Sequence, residues 1–466
     1  MPPASEMEEG FIVTSGVFVR STSVVMKWIA SWSPWTCASV SHILKGDVNR
    51  LRAFHVLRAA GIVAGVAGCA PDVRIFGGTG SSTGVGAGGS APARGPAVPS
   101  PSPSEAWPQI AHDAAHTGRS TAIVGGAPAI VWSAPAPEPP NALVVDAMGD
   151  VYAASFQVLA AFDSTGATRW SMSGYFFGAG VAPDGTIVVT GAEQPDQNGF
   201  VRGYAPDGTQ RFAVPNLGGM TTEPVIASDG TIYVGTQAYG TAGPRLHAFG
   251  PDGTLKWAVA LGNEPGTPGI DSAGRVIVPL WSYSQTPMNE ATVAFDTQGI
   301  GLWSTPSDVG GPSMPSIGPD GTLWVVQTSK NHQGAAEPNM MVLSATGAVQ
   351  TEFQKASVMV PAPEIDLDGN AYLGMASGIG KVTPSGETLW FLAGATPPDQ
   401  HGHIWRLGAL DAIDTVVVVD ATGVLFGAAD GKKVFEVAGH DFGGPVAIGR
   451  DGTIYVGAKT AIYALR

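Results

Sequence analysis

The feature that most constrains the fold is a short turn sequence that recurs along the chain. An apolar strand follows the turn in MGDVYAA, DGTIVVT, DGTIYVG, AGRVIVP, DGTLWVV, DGNAYLG, IDTVVVV and a second DGTIYVG. The equivalent turn positions lie 36 to 48 residues apart, at Gly149, Gly185, Gly230, Gly274, Gly321, Gly369, Asp414 and Gly452. A repeat of this length is typical of one four-stranded propeller blade.

Each unit contains the elements of a complete blade. A short apolar strand precedes the turn, as in EPVIAS (223–228), and a strand of alternating β-branched residues follows it. A third strand such as RLHAFG (245–250) then leads through a second turn to a fourth strand. Glycine accepts the positive φ that tight turns need, and aspartate caps them. The pattern predicts an all-β, eight-bladed β-propeller of four-stranded antiparallel blades, in which Asp-Gly-Thr is a structural turn and not a site.

An aromatic residue recurs in the fourth strand of the units. It follows the glycine of the second turn by four residues in six units, and by six residues at Phe353. Rings at a fixed position in each unit are suited to packing between neighbouring blades. We therefore predict structural inter-blade positions for Trp132, Trp170, Phe212, Trp257, Trp303, Phe353, Trp390 and Phe435.

The two ends of the repeat region indicate how the ring closes. The last unit stops after its third strand, and a spare apolar strand, AIVWSAP (129–135), precedes the first unit. This N-terminal strand is predicted to complete the last blade. The propeller domain is placed at 107–466, with blades near 136–172, 173–214, 215–260, 261–305, 306–355, 356–393, 394–438, and 439–466 plus strand 129–135.

The segment before the propeller resembles a bacterial lipoprotein signal peptide. Basic residues precede a run of small apolar residues that ends in Val-Ala-Gly-Cys69, the order expected of a lipobox. The resemblance implies a signal at 48–69, lipidation of Cys69 and a cell-envelope location, with membrane contact through the lipid anchor only. The location would be the outer membrane, on its periplasmic or surface side. The alternative is a buried apolar helix that carries a cysteine.

The residues on either side of this signal are expected to lie outside any folded domain. Such signals begin near the N-terminus, so 1–47 is expected to be a non-native extension or a mis-assigned start, with translation beginning at Val48 or Met26. Residues 70–106 are rich in Gly, Ser and Pro and are predicted to be a linker.

The charge balance disfavours one class of function, and the cysteine content excludes others. The chain has 24 basic and 38 acidic residues, and this balance disfavours nucleic-acid binding, which needs clustered Lys and Arg. Both cysteines, Cys37 and Cys69, precede the repeats, so the propeller has no disulfide and no thiol nucleophile. The fragment IDLDGNAYL (365–373) resembles the start of a calcium loop, but the position of its closing glutamate is Ser377. We predict a turn there and no metal site.

The candidate ligand-binding residues lie in connections between strands. In a propeller, the connection from one blade's outer strand to the next blade's inner strand lies near the mouth of the central funnel. Two histidines two residues apart on a strand share a face, and histidine serves as a ligand or general base. The alternatives are hydrogen-bonded loop groups and packing aromatics, and no catalytic residue is assigned. The predicted ligand-binding positions are His401, His403, Trp405, Arg406, His440, Asp441, Trp281 and Tyr283.

A family resemblance appears in WPQIAHDAAHTGRS (107–120) and in the repeat pattern itself. Both resemble bacterial propellers built from pyrroloquinoline-quinone-like (PQQ-like) repeats. That family includes quinoprotein dehydrogenases and also cofactor-free scaffold lipoproteins, such as the eight-bladed subunit of the outer-membrane β-barrel assembly machinery. The dehydrogenases hold the quinone between a Trp and, commonly, a disulfide, with Glu, Asn and Asp around Ca²⁺. No such set can be carried over to this sequence, so no cofactor is predicted.

The leading functional prediction is a lipid-anchored, exported propeller that acts as a binding or scaffold module. Its partners would be proteins or cell-envelope polymers, and no oligomeric state is predicted. The alternative is a propeller enzyme, similar to polysaccharide lyases or hydrolases, that uses the His401, His403 and His440 cluster. A quinone-dependent oxidoreductase is the more remote alternative. Fold alone does not distinguish these functions.

Overall fold

The computed structural model describes most of the propeller region and little of the chain before it. The described residues are 13–14, 17–18, 107–194, 197–281, 288–307, 314–330, 336–353, 362–375, 378–394, 408–420 and 422–466. The chain divides into two units, Met1–Gly88 and Gly89–Arg466. In the first unit, β1 (Val13–Thr14) and β2 (Val17–Phe18) form an antiparallel pair. Across the described ranges, no helix is long and apolar enough to cross a membrane.

The second unit is an eight-bladed β-propeller of four-stranded antiparallel sheets, as predicted. In each blade we call the strands A to D from the axis outwards. Blade 1 comprises β4 (Ala142–Val145), β5 (Val151–Ala154), β6 (Val158–Phe162) and β7 (Thr168–Ser173), and blade 2 comprises β8 (Tyr175–Val181), β9 (Ile187–Gln194), β10 (Gln197–Tyr204) and β11 (Gln210–Val214). Blade 3 comprises β12 (Val225–Ile226), β13 (Ile232–Thr236), β14 (Arg245–Phe249) and β15 (Leu255–Ala260). Blade 4 comprises β16 (Glu264–Pro265), β17 (Gly269–Ile270), β18 (Val276–Trp281), β19 (Met288–Phe295) and β20 (Gly301–Ser307).

In blade 4, strand A is split into β16 and β17, which both pair with β18. Blade 5 comprises β21 (Ser316–Ile317), β22 (Leu323–Lys330), β23 (Ala336–Leu343) and β24 (Val349–Phe353), and blade 6 comprises β25 (Glu364–Ile365), β26 (Ala371–Met375), β27 (Gly378–Val382) and β28 (Thr388–Ala393). Blade 7 comprises β29 (Ala409–Leu410), β30 (Val416–Val419), β31 (Leu425–Ala429) and β32 (Lys432–Val437). Blade 8 comprises β33 (Phe442–Ile448), β34 (Ile454–Ala458), β35 (Ala461–Leu465) and β3 (Ile130–Pro135).

The ring closes through the N-terminal strand, as the sequence predicted. β3 pairs antiparallel with β35, with Ile130 opposite Leu465 and Ala134 opposite Ile462. Backbone bonds between Ala129 and Arg466 extend this pairing beyond the strands. Strand D of blade 8 therefore comes from the start of the domain, and the sheet that closes the ring contains both ends of the repeat region.

The turns between strands A and B share one backbone geometry. In blade 1 the Gly149 N–H donates to the Asp146 carbonyl at 3.1 Å, and the Asp146 N–H donates to the Asp150 carbonyl at 3.0 Å. Gly149 has a φ of +83°, in the left-handed region that favours glycine. Blade 7 has Asp414 at the same place, with a φ of +66°. Aspartate tolerates this conformation better than most residues do.

The hydrophobic core is divided among the spaces between blades. The interface of blades 1 and 2, for example, buries Val144, Tyr152 and Leu159 against Ile187 and Phe200. Comparable clusters lie between blades 2 and 3, 3 and 4, 4 and 5, 5 and 6, and 6 and 7. A larger cluster joins blades 7, 8 and 1 across the closure. Each blade is thus stabilised by its two neighbours.

The aromatic residue of strand D packs on the next blade. A Cβ added to the C–D turn glycine would lie 2.4 to 3.7 Å from the nearest ring atom of the preceding blade's aromatic residue at Gly166, Gly208, Gly253, Gly299, Gly347, Gly386 and Gly431. The facing rings, in the same order, are Trp132, Trp170, Phe212, Trp257, Trp303, Phe353 and Trp390. Three of the indoles also donate to carbonyls of the neighbouring turn, those of Trp132, Trp170 and Trp257. Phe435 differs because blade 8 has no C–D turn, and it lies in the cluster at the ring closure.

Candidate functional site

The segment before the first blade lies against the inner strands of the ring. We call residues 107–124 the lead-in segment. The last residue of strand A in each of seven blades donates its N–H to this segment, over 2.6 to 2.9 Å. The acceptors follow the chain in the order of the blades, so the segment winds once around the axis. The donors are Val145, Val181, Ile226, Ile270, Ile317, Ile365 and Leu410.

Side chains of the lead-in segment add specific contacts to this main-chain pattern. The Gln109 amide both donates to the Ile226 carbonyl, at 2.9 Å, and accepts from the Ile226 N–H, at 2.7 Å. The fully buried His116 donates through Nδ1 to the Pro315 carbonyl at 3.0 Å. Burial lowers the pKa of His116. Trp107 is also buried and packs edge-on against His112.

Asp113 holds the segment in its coiled shape. Its carboxylate accepts from the N–H groups of Ala115 and Thr117 and from the Thr117 hydroxyl. Burial alone would raise the pKa of Asp113, but its hydrogen bonds to His112 and Thr117 outweigh burial and lower it. Positive φ values at four positions let the segment turn sharply, at Ala111, His112, His116 and Gly118.

The end of the lead-in segment crosses the A–B turn of blade 7 on its way to β3. Arg119 pairs with Asp414 at 2.5 Å and donates to the Ala412 carbonyl at 3.0 Å. The Val124 N–H donates to the Asp411 carboxylate at 3.2 Å. The segment therefore leaves the axis on the face of the ring that carries the A–B turns.

Two buried glutamates near the inner strands have no basic partner among the described residues. Glu364, on β25, is 5% exposed and accepts the Gly408 N–H at 2.8 Å, and Gly118 of the lead-in segment lies against its side chain. Burial raises the pKa of Glu364 to about 7. Glu223, beside blade 4, accepts the Thr267 hydroxyl, and burial also raises its pKa. Carboxyl groups with perturbed pKa values are frequent at functional sites, but structural groups show the same shifts.

The predicted ligand-binding residues are only partly described. His440 is half-buried, and its ring lies 5.2 Å from that of Tyr463 and 5.5 Å from that of Phe442. Asp441 is exposed and faces Lys459 at 3.4 Å. The half-buried Trp281 donates to the Pro265 carbonyl at 3.3 Å. The other predicted positions lie outside the described residues, namely His401, His403, Trp405, Arg406, Tyr283 and the lipidation site Cys69.

In the fragment that resembles a calcium loop, the Asp366 carboxylate contacts other groups of the chain itself. The Asp366 carboxylate accepts from the N–H groups of Asp368 and Asn370 and pairs with Lys381 at 2.7 Å. Burial lowers the pKa of Lys381, but its bonds to Asp366 and Tyr372 outweigh burial and raise it. The carboxylate thus caps the A–B turn of blade 6 and neutralises a half-buried cation.

The described residues around the axis do not fit a quinone with its calcium ion. Within the described part of the chain, no three His, Cys, Asp or Glu residues converge as metal ligands do. Glu223 and Glu364 belong to different blades, and each accepts a hydrogen bond from its own surroundings. The sequence contains no cysteine after Cys69 that could form the disulfide of the quinoprotein family.

Comparison with known proteins supports the fold. No protein-family model and no curated protein matches the chain. Among solved structures, the quinohemoprotein alcohol dehydrogenase of Comamonas testosteroni is similar at a TM-score of 0.58 and 14% identity, covering 77% of this chain and 80% of that one. Quinohemoprotein alcohol dehydrogenase ADHIIG of Pseudomonas putida HK5 gives 0.53 and 12%, covering 78% and 80%. The Dos1 propeller gives 0.55 and 9%, covering 72% and 95%. These similarities show a PQQ-like propeller fold and nothing finer.

Sequence reasoning did not identify the axial role of the lead-in segment. The motif WPQIAHDAAHTGRS indicates only a family resemblance, although it contains several polar residues in a stretch without strand periodicity. A sequence signal for Glu364 also existed. Most other units carry an apolar residue or glycine one position before the end of strand A, whereas blade 6 carries a glutamate.

Proposed function

We propose that this PQQ-like propeller is the body of an exported, lipid-anchored binding or scaffold module. Cys69 would carry the lipid, and the linker of residues 70–106 would hold the propeller away from the membrane surface. The partner would be a protein or a cell-envelope polymer. The protein would reside in the cell envelope and contact the membrane through its anchor only.

The observation that carries this proposal is the lead-in segment at the axis. The inner strands of a propeller direct their unpaired N–H groups towards the axis, where they could bind a ligand. Here seven of these groups are bonded to the chain's own lead-in segment. This arrangement supports a rigid ring that presents its outer surfaces to a partner, and it favours binding over catalysis at the axis.

The placement of His440 and Asp441 also supports binding over a histidine-based enzyme. The His440 ring packs against the rings of Phe442 and Tyr463, which also contact each other, and the Asp441 carboxylate faces a lysine. Neither side chain is directed at a described carboxyl or histidine partner that would activate it as a base. A rim of aromatic and charged groups of this kind suits contact with a partner surface.

The anchor is tested by comparing the full chain with its Cys69→Ala variant in a bacterium with an outer membrane. The expected result is that the parent chain fractionates with membranes and carries a diacylglyceryl and acyl mass increase at Cys69, whereas Cys69→Ala is soluble and unmodified. A parent chain that is soluble and unmodified would show that the anchor is wrong.

The binding role is tested by in-cell crosslinking and affinity purification of the anchored chain from solubilised envelopes. A reproducible envelope partner is expected, with Cys69→Ala as the matched control for contacts that need the membrane. Release of reducing ends or unsaturated sugars from envelope polysaccharides would instead establish the enzymatic alternative. A visible chromophore after incubation with pyrroloquinoline quinone and Ca²⁺ would overturn the cofactor-free proposal.

A further inference from the structure

We infer that one sector of the face that carries the A–B turns is a docking surface for a protein whose contact surface is aliphatic at its centre and basic at its rim. The sector spans blades 6, 7, 8 and 1, and we call it the apolar sector. Its central side chains are those of Leu367, Ile413, Ile123 and Met148, which are all exposed. The inference rests on the proposed binding role, and it adds the surface and the chemistry of the partner.

The centre of the apolar sector is formed by the tips of A–B turns. Leu367, Ile413 and Met148 are tip residues in blades 6, 7 and 1, and each is at least 61% exposed. The turns of blades 2 to 5 carry Pro-Asp, Ser-Asp, Ser-Ala and Pro-Asp at the same two positions. In blade 8 the exposed Ile123 lies over the turn, because a Cβ added at Gly452 would meet the Ile123 carbonyl. Large apolar tips are therefore confined to one side of the ring.

The residue before the strand D aromatic ring is also apolar in this sector. In blades 1 to 3 this residue is basic and pairs with a carboxylate at the A–B turn of its own blade, as Arg169 does with Asp150 at 2.9 Å. In blades 6, 7 and 8 exposed aliphatic residues replace these cations, namely Leu389, Val434 and Val131. They therefore extend the sector outwards from the turn tips. Leu302 of blade 4 is the other apolar residue at this position, and it lies beside a Ser-Ala turn.

Contacts between neighbouring turns show that the sector is continuous. Lys381 of blade 6 lies 3.7 Å from Asp414, in the turn of blade 7. Val124, at the end of the lead-in segment, bonds to the same turn over 3.2 Å. Arg450, in the turn of blade 8, donates to the Ala147 carbonyl in the turn of blade 1 at 3.2 Å. The apolar tips therefore lie side by side across four adjacent blades. Exposed apolar side chains that are contiguous, unlike those scattered singly, mark interaction sites.

The composition of the sector favours a protein partner over a polysaccharide or a bilayer. Its seven side chains are aliphatic or Met, and none is an aromatic ring that would stack on a sugar. An anionic bilayer would need clustered Lys and Arg. Here Arg119 and Lys381 are at most 14% exposed, and they pair with Asp414 and Asp366.

The charges at the edge of the sector favour a basic partner. Asp368, Glu387 and Asp430 are exposed, and none of them takes part in an ion pair among the described residues. Of the bases nearby, Lys432 is exposed without an ion pair, and Arg450 donates to a backbone carbonyl. The chain as a whole has a formal net charge of −14. An acidic rim attracts a basic surface during encounter and repels an acidic one.

The first test compares two double variants of the full, anchored chain by in-cell crosslinking in the organism that encodes it. Leu367→Ser with Ile413→Ser alters the sector, and Ile300→Ser with Leu302→Ser alters two exposed side chains of blade 4 as the matched control. The first variant should lower the yield of crosslinked partner at least about 10-fold, and the control should not. Equal yields, or a partner released only by His440→Ala, would overturn the inference and leave the proposed binding role standing. A parent chain that captures no partner would overturn both.

A second test supplies the chemistry of the partner directly. The probe is a fluorescent amphipathic helical peptide of Leu and Lys, and its reference has Glu in place of each Lys. The purified Cys69→Ala chain should bind the Leu/Lys peptide saturably, and the Leu/Glu peptide at least about 10-fold more weakly. Adding Leu367→Ser with Ile413→Ser should weaken binding of the Leu/Lys peptide by a similar factor. Equal binding of the two peptides, or binding unaffected by the substitutions, would overturn the inference. Binding to phosphatidylglycerol vesicles through the same residues would identify a lipid surface and also overturn it.

Discussion

The substitution Glu364→Gln is expected to stabilise the protein at neutral and alkaline pH. The Glu364 carboxyl lies between β25, the Gly408 backbone and Gly118 of the lead-in segment. No basic side chain pairs with it in the described ranges of the chain. Burial therefore raises the pKa of Glu364 from 4.5 to about 7. The folded protein binds this proton more tightly than the unfolded chain does.

The sign and size of the effect follow from linkage. A raised carboxyl pKa gives stability that is fully present below 4.5 and is lost as pH rises to about 7, because the folded state must ionise a buried group. The pKa of Glu364 rises from 4.5 to about 7, and one pKa unit corresponds to about 1.4 kcal/mol. The free energy of unfolding should therefore fall by about 3 kcal/mol as this group ionises in the folded state. Glutamine keeps the carbonyl that accepts the Gly408 N–H and cannot ionise. The variant should match the parent within about 1 kcal/mol at pH 4.5 and exceed it by about 3 kcal/mol at pH 8.

The assay is guanidinium unfolding followed by tryptophan fluorescence at pH values from 4.5 to 8.5. Glu352→Gln is the matched control, since Glu352 is exposed on β24. Its profile should remain parallel to that of the parent. The reasoning is refuted if Glu364→Gln also gives a profile parallel to the parent, or if it is less stable than the parent at pH 8.

Three further outcomes are expected. Gly299→Ala and Gly369→Ala each place alanine at a φ near +80°, but only at Gly299 would the Cβ meet an indole, at 2.8 Å. Chemical denaturation should show that the free energy of unfolding falls by about 1 kcal/mol in Gly369→Ala, and by about 1 to 3 kcal/mol more in Gly299→Ala. Equal losses in the two variants would contradict the inter-blade contact. Burial lowers the pKa of His247 to about 4, so stability should fall as pH drops from 6.5 to 4, and an NMR titration midpoint near 6.5 would contradict this. Lys381→Met leaves the Asp366 carboxylate buried and unpaired, and should cost about 3 kcal/mol in calorimetry. Adding Asp366→Asn should recover part of that loss, and no recovery would show that the pair is not coupled.

The blades were predictable because local rules determine them. A turn that needs a positive φ selects glycine, as at Gly149 and Gly230, and it recurs wherever strand A meets strand B. The alternation of apolar residues between turns then identifies the strands. The missing fourth strand of the last unit located the closing strand, and the pairing of β3 with β35 confirmed it.

The axial site was not predictable in the same way, because its contacts join residues far apart in the chain. Arg119 meets Asp414 across 295 residues, and Gln109 meets Ile226 across 117 residues. Neither residue belongs to a repeat, so no periodicity indicates its partner. Glu364 is similar: its sequence position shows an exception to the apolar pattern, but only the fold brings Gly118 and Gly408 against it.

The lead-in segment also changes how the whole ring should unfold. Blades that contact only their neighbours behave as a one-dimensional array, in which unfolding can begin at any unit and stop at another. In this chain the lead-in segment bonds to strand A of blades 1 to 7, and β3, which follows it directly, completes blade 8. One continuous stretch therefore contacts every blade, and the loss of any blade removes some of its bonds. The stability of each blade is coupled to that of all the others, so the propeller should unfold in a single cooperative transition.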